Sequence, residues 1–163
     1  MTLTTLIRNA EMLQSAMERG IFLQVVLNDR REDILHEQQV QLLEGKDSDG
    51  NDMRPYYSED DYFSSREQAQ WYINWKKSGI SYPIDVPRNP DAPNLYINGK
   101  FHSELEVRAG SSSVGVYPKT PYAAGIVDKY GMNKFGLTSE RWRKVLDDSR
   151  DRIIQLMKQE LYE

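Results

Sequence analysis

The chain contains no cysteine and only two histidines, His36 and His102, in 163 residues. Without cysteine there are no disulfides, no thiolate metal sites and no cysteine nucleophile, a pattern that fits a reducing compartment. Long hydrophobic runs are also missing: no stretch approaches the roughly 18 apolar residues of a membrane span. The opening Met1-Thr2-Leu3-Thr4-Thr5-Leu6 lacks the basic and apolar regions of a secretory leader. The expectation is a soluble, intracellular protein with no membrane partner. There is no excess of positive charge either. A net charge of −4 argues against a dominant phosphate-binding surface, so no sequence-specific nucleic-acid partner is expected.

What is present is a composition somewhat more polar than that of an average globular domain, with 39% apolar and 28% charged residues. That supports a modest single core with much solvated or partner-facing surface. Leu3, Leu6, Ile7, Ala10, Leu13 and Met17 recur at steps of three and four, which predicts a helix ending near Gly20. From Ile21 to Glu44 there is neither proline nor glycine, and helix is favoured, although Ile21 to Leu27 alone would also suit a buried strand. Gly45 stops this helix before a polar turn, Lys46 to Asp52. Two capping patterns, Ser64 with Glu67 and Ser65 with Gln68, announce a third helix from about Ser65 to Ser78. Residues 82–93 hold four of the seven prolines and form a stiff connector.

Beyond the connector, Phe101, Ser103, Leu105 and Val107 alternate with His102, Glu104, Glu106 and Arg108, which predicts a half-buried antiparallel strand. Asn98-Gly99 is a candidate tight turn before it. Gly110 to Ser113 suggests a hairpin to a second strand, Val114 to Tyr117. Thr138 is a good N-cap and Glu140 suits the first turn of a last helix, whose stripe runs Trp142, Val145, Leu146, Ser149, Ile153, Leu156, Met157 and Leu161. Such a helix is roughly 36 Å long, and its far end is expected to reach a partner. The fold class expected is α+β: a small antiparallel sheet or hairpin packed with long helices. One domain, 1–163, divides into a helical half (1–79), a proline-rich connector (80–93) and a hairpin plus C-terminal helix (94–163).

Chemical motifs fail at identifiable positions. His36-Glu37-Gln38-Gln39 begins like a zinc-protease motif, but Val40 stands where the second histidine is needed. Asp47, Asp49 and Asn51 have the first spacings of a calcium loop, but the glycine is Gly50 and the twelfth position is Ser58. Gly110 to Gly115 would need a glycine at Val114 to be a nucleophile elbow. No phosphate loop or dinucleotide fingerprint occurs. The reading is therefore non-enzymatic, with no catalytic residue, cofactor or metal assigned. Eight of the seventeen aromatics lie between Tyr56 and Tyr82. Such residues dock a helix on a core or form a subunit interface. Tyr57, Tyr62, Trp71, Trp75, Phe135 and Leu137 are the candidate interface residues. An alternative uses the same aromatics with Glu59, Asp60 and Asp61 as a carbohydrate-binding or glycan-hydrolysing site.

The order Asn98-Gly99-Lys100-Phe101, a Gly/Ser hairpin, Val114-Gly115-Val116, Pro121-Tyr122-Ala123-Ala124, Tyr130-Gly131 and Phe135-Gly136-Leu137-Thr138 before a charged helix resembles the tail-completion (neck) proteins of tailed bacteriophages. The resemblance covers residues 94–161 well and 35–57 loosely. It departs from the family pattern at Asn98, where threonine is usual, and in the 56–82 aromatic segment, which has no counterpart. It implies a structural virion protein, a ring-forming subunit at the head-to-tail junction. Its implied partners are copies of itself, portal or adaptor proteins and tail proteins, with DNA passing through the ring. It also implies assembly in the host cytoplasm.

Overall fold

The computed structural model describes residues 2–109, 114–131 and 135–162. Helix α1 (Leu3–Glu18) is followed through Arg19 and Gly20 by α2 (Ile21–Leu43), so the ambiguous start of α2 is helical. A 3-10 turn (Tyr57–Glu59) and α3 (Arg66–Gly79) follow, then the extended connector. The rest comprises a one-turn helix α4 (Lys100–Ser103), strands β1 (Leu105–Ala109) and β2 (Val114–Pro118), helix α5 (Ala123–Tyr130) and helix α6 (Ser139–Tyr162). The fold is a helix-rich α+β arrangement with one two-stranded antiparallel sheet among the described residues.

Local signals act where they were read. Ser65 Oγ accepts from the Gln68 amide at 3.2 Å, while Gln68 Oε1 accepts from the Ser64 amide at 2.8 Å. Both capping groups therefore satisfy main-chain donors that the first turn of a helix leaves open. Thr138 caps α6, its carbonyl accepting from Trp142 N at 2.9 Å and its hydroxyl from Arg141 N at 3.4 Å. Gly45 ends α2 at φ +72°, and a Cβ there would lie 3.1 Å from that of Ala92, so the connector can pass close by.

One prediction is corrected. The strand does not begin at Phe101: residues 100–103 form a helical turn, in which the Ser103 amide donates to the Gly99 carbonyl at 2.9 Å. Asn98 Oδ1 accepts from the Lys100 amide at 3.1 Å, and Gly99 takes φ +81°. The pair thus starts a helix where a hairpin turn was expected. Phe101 and His102 are both buried, which strict alternation forbids. The antiparallel hairpin itself is present, with Val107 opposite Val116 and Leu105 opposite Pro118. The predicted Gly110–Ser113 turn lies outside the described residues.

The core joins both halves of the chain. Leu27, Ile34 and Leu42 of α2 cluster with Met53, Phe101, Leu105, Val116, Phe135, Leu137 and Val145. Helix α6 packs on α1 and on α2, and α2 packs on β1. The far end of α6 lies against α1, the Asn9 amide donating to the Leu161 carbonyl at 3.0 Å, rather than standing free. Among the described residues no helix is long and apolar enough to cross a membrane.

A charged clamp fixes α6 on α2. Arg141 donates to Glu37 and, at 2.9 Å, to both oxygens of Glu44; Lys144 also donates to Glu37. Burial would raise the Glu37 carboxyl, but the Lys144 and Arg141 hydrogen bonds outweigh it and hold the group below its ordinary 4.5. A depressed carboxylate contributes stability above the unfolded value and loses it as pH falls through the folded one. Arg141→Ala is therefore expected to cost about 1–2 kcal/mol at neutral pH. Urea midpoints of the two proteins should converge as pH falls through the lowered Glu37 value, and a gap that persists unchanged in acid would contradict this role for the clamp.

Candidate interaction surface

Helix α1 packs with one face and presents another. Asn9 and Ala16 are buried, with Thr5 and Leu13 partly covered, and these four positions share one side of a helix. The apolar stripe is turned roughly 100° away from them, at 100° per residue. Leu3 is 73% exposed and Ile7 and Met17 are each 53% exposed, with Leu6 also in solvent. Only Leu13, at the boundary, belongs to both faces. An amphipathic helix normally buries its apolar stripe, and here the neighbour on that side is water.

The aromatic segment separates into buried and exposed members. Tyr57, Phe135 and Leu137, expected at an interface, are core residues. Tyr57 packs edge-on to Phe63 and Tyr72, and Phe135 lies against Phe101 at 5.9 Å. Tyr62 is 79% exposed and Trp71 is 66% exposed, while Trp75 is half-buried and stacks on Trp71 with centroids 6.5 Å apart. Trp71 therefore does not dock α3 on the core. That is done by Ala69, Ile73 and Lys76, one side of the helix at steps of four and three.

Two of the acidic candidates, Glu59 and Asp60, are engaged separately. Glu59 pairs with Arg54 at 2.7 Å, and Asp60 pairs with Lys129 while accepting from the Tyr62 amide at 3.0 Å. Asp47 is buried in its turn, its Oδ1 accepting from the amides of Asp49 at 3.0 Å and Asn51 at 2.9 Å. That is the geometry of a polar turn held by its first aspartate. His36 lies on the exposed side of α2. Among the described residues no group of three or more histidine, aspartate or glutamate side chains is placed to hold a metal ion.

A second feature was not singled out from the sequence. Lys76 is only 5% exposed; its Nζ donates to Tyr57 Oη at 3.0 Å and to Asn94 Oδ1. Burial, helped by the charge of Arg88, pushes the amine down to about 7. The Asn94 carbonyl accepts from His102 Nε2 at 2.9 Å, which places the imidazole proton on that nitrogen. Burial lowers His102, against the hydrogen bond to Asn94 and with the nearby charge of Lys76. Burial also raises Tyr57, and it lifts Tyr130 to about 12. A lysine at a core-facing helical step, beside Ala69 and Ile73, was the sequence signal available for this site.

With this geometry in hand, comparison with protein-family models, with curated proteins and with solved structures found no match for the chain.

Proposed function

We propose that the protein is a structural assembly subunit, and that the apolar stripe of α1 is the surface it offers to a neighbouring copy. The observation that carries this reading is the orientation of α1, whose polar Asn9 faces inward while Leu3, Ile7 and Met17 face solvent. Contiguous exposed apolar area of this kind marks interaction sites. Exposed Tyr62 and Trp71 add a second patch of the type enriched at interfaces. The station proposed is the head-to-tail junction of a tailed bacteriophage, as a ring-forming neck or tail-completion subunit between portal or adaptor and tail. That station rests on the sequence resemblance over residues 94–161. A subunit meeting copies of itself through two different patches makes a heterologous contact, which closes into a ring when the rotation permits.

Light scattering of the purified protein and imaging of particles that contain it test the proposal. The expected result is a closed multimer, or a defined position between capsid and tail. Ile7→Glu with Met17→Glu should yield monomers that stay folded, with unchanged circular dichroism, since the intrinsic cost of such surface changes is within about 0.5 kcal/mol. A wild-type protein that remains monomeric at its highest soluble concentration and is absent from virions overturns it. Specific glycan binding that is lost in Trp71→Ala, with no effect on assembly, would favour the carbohydrate-binding alternative, for which Trp71 and Tyr62 are exposed platforms.

A further inference from the structure

Beside Lys76 the surface opens into a cleft of about 380 Å³, within the size range of small-molecule sites. Tyr57, Lys76, Leu95, Phe101, Ile126 and Tyr130 are among the residues that line it. Its walls are mainly apolar carbon with phenolic hydroxyls and the Asn98 amide, and the one cationic side chain among the lining residues is Lys76. Among the described residues the Lys76 amine has two neutral oxygen partners, Tyr57 and Asn94, and no carboxylate. An ammonium holds three donors, so one remains for a ligand. The surrounding charge has the same sign: Arg88 and Lys77 line the adjoining hollow with Lys76. Asp60, whose charge acts on the cleft residue Tyr130, is paired with Lys129.

The backbone of the cleft is also held in an unusual shape. Leu95 takes φ +52°, a left-handed conformation that costs a bulky residue of order 1–2 kcal/mol. It is fixed by Asn94, whose Oδ1 accepts from the Tyr96 amide at 3.2 Å while its carbonyl engages His102. Such strain persists where the surroundings over-determine it, and it clusters at ligand sites.

We propose that this cleft binds a small carboxylate carrying an aromatic or apolar body, with the Lys76 ammonium as its counter-ion. The body lies among Leu95, Phe101 and Ile126, and the carboxylate takes the third donor of the amine. A carboxylate there supplies the charge partner that the protein itself does not, and it favours the protonated amine. The inference does not depend on the assembly reading.

The probes are 3-phenylpropionate and 3-phenylpropionamide, which match in shape and differ in charge, titrated by calorimetry. A charge-assisted hydrogen bond predicts that the carboxylate binds about tenfold or more tighter than the amide near pH 6. The preference should shrink towards pH 9 as the amine loses its proton. The neighbouring groups do not mimic this loss: Tyr57, Tyr72 and Tyr130 are all pushed above their ordinary value, and His102 is pushed below its own. Lys76→Met should abolish the preference and leave amide binding in place. Ile126→Trp fills the cleft without touching the amine and should abolish binding of both, a readout that survives if the methionine variant misfolds. Equal affinity of the two probes, no binding of either, or a preference that persists in Lys76→Met or in Ile126→Trp would each overturn the proposal.

Discussion

Replacing Gln41 with leucine is expected to lower the stability of this protein by about 3 kcal/mol, although the side chain touches no candidate site. Gln41 is fully buried. Its Nε2 donates to the Asp47 carbonyl at 3.0 Å and to the Gly136 carbonyl at 2.8 Å, and its Oε1 accepts from the Thr138 amide at 2.9 Å. One residue therefore satisfies three main-chain groups in two loops, the turn after α2 and the entry to α6. Leucine has similar volume, so the cavity contribution is small, and the cost comes from the bonds lost by the Gly136 carbonyl and the Thr138 amide, with a smaller share from the Asp47 carbonyl, which keeps the Gly50 amide at 3.0 Å. Gln39→Leu provides the contrast. It removes one bond, from Nε2 to the His102 carbonyl at 2.9 Å, and should cost about 1 kcal/mol. Urea unfolding distinguishes the two: equal losses would show that Gln41 holds no more than the partly buried Gln39 amide does.

Stability is also expected to rise between about pH 7 and pH 9, because of Lys76. Its folded value of about 7 lies below the unfolded 10.5, so in that interval the unfolded chain binds more protons than the native one. The slope of unfolding free energy with pH is then positive. Below the folded value both states are protonated and the penalty of burying the ammonium is present in full. Integrated over the two pH units, the gain is about 2 kcal/mol. The other shifted groups act outside this window: Glu37 and Asp52 titrate in acid, His102 lies below its ordinary value, and the raised Tyr57, Tyr72 and Tyr130 respond only in stronger base. Lys76→Met should flatten the profile. Wild-type denaturation midpoints that stay level or fall from pH 7 to pH 9 would refute the assignment of a buried, depressed amine.

The features legible in the sequence were those decided within one turn of the chain. Ser65 with Gln68, Thr138 before α6 and Gly45 after α2 act on main-chain groups a few residues away, so their patterns carry over directly into structure. Residues 100–103 were misread because Phe101 and Leu105 are four apart, a spacing compatible with either period, and because Asn98 can cap a helix as well as turn a hairpin. Stripe and packed face diverge in α1 for a long-range reason. The inward position of Asn9 is stabilised by a carbonyl 152 residues away, and no local pattern reports such a partner. The same holds for the site residues. Tyr57 and Tyr62 are chemically alike, but one is enclosed by Phe63, Tyr72 and Lys76 and the other faces solvent. Lys76 is a basic position at a helix end, and its burial depends on Tyr57 and Asn94, 19 and 18 residues away.

The shared core has a consequence for how the protein is made. Leu27, Ile34 and Leu42 emerge from the ribosome early, yet the side chains that cover them, from Phe101 to Val145, are translated much later. Helix α2 can form on its own within microseconds, but its apolar side stays wet until the entry to α6 arrives to be gripped by Gln38 and Gln41. At about 5–20 residues per second the nascent chain carries that uncovered helix for several seconds. Over this interval the exposed stripe of α1 and the still uncovered side of α2 are displayed together, so the unfinished chain is more adhesive than the finished one. Ribosome-bound intermediates arrested before residue 101 should accordingly be the species most dependent on chaperones.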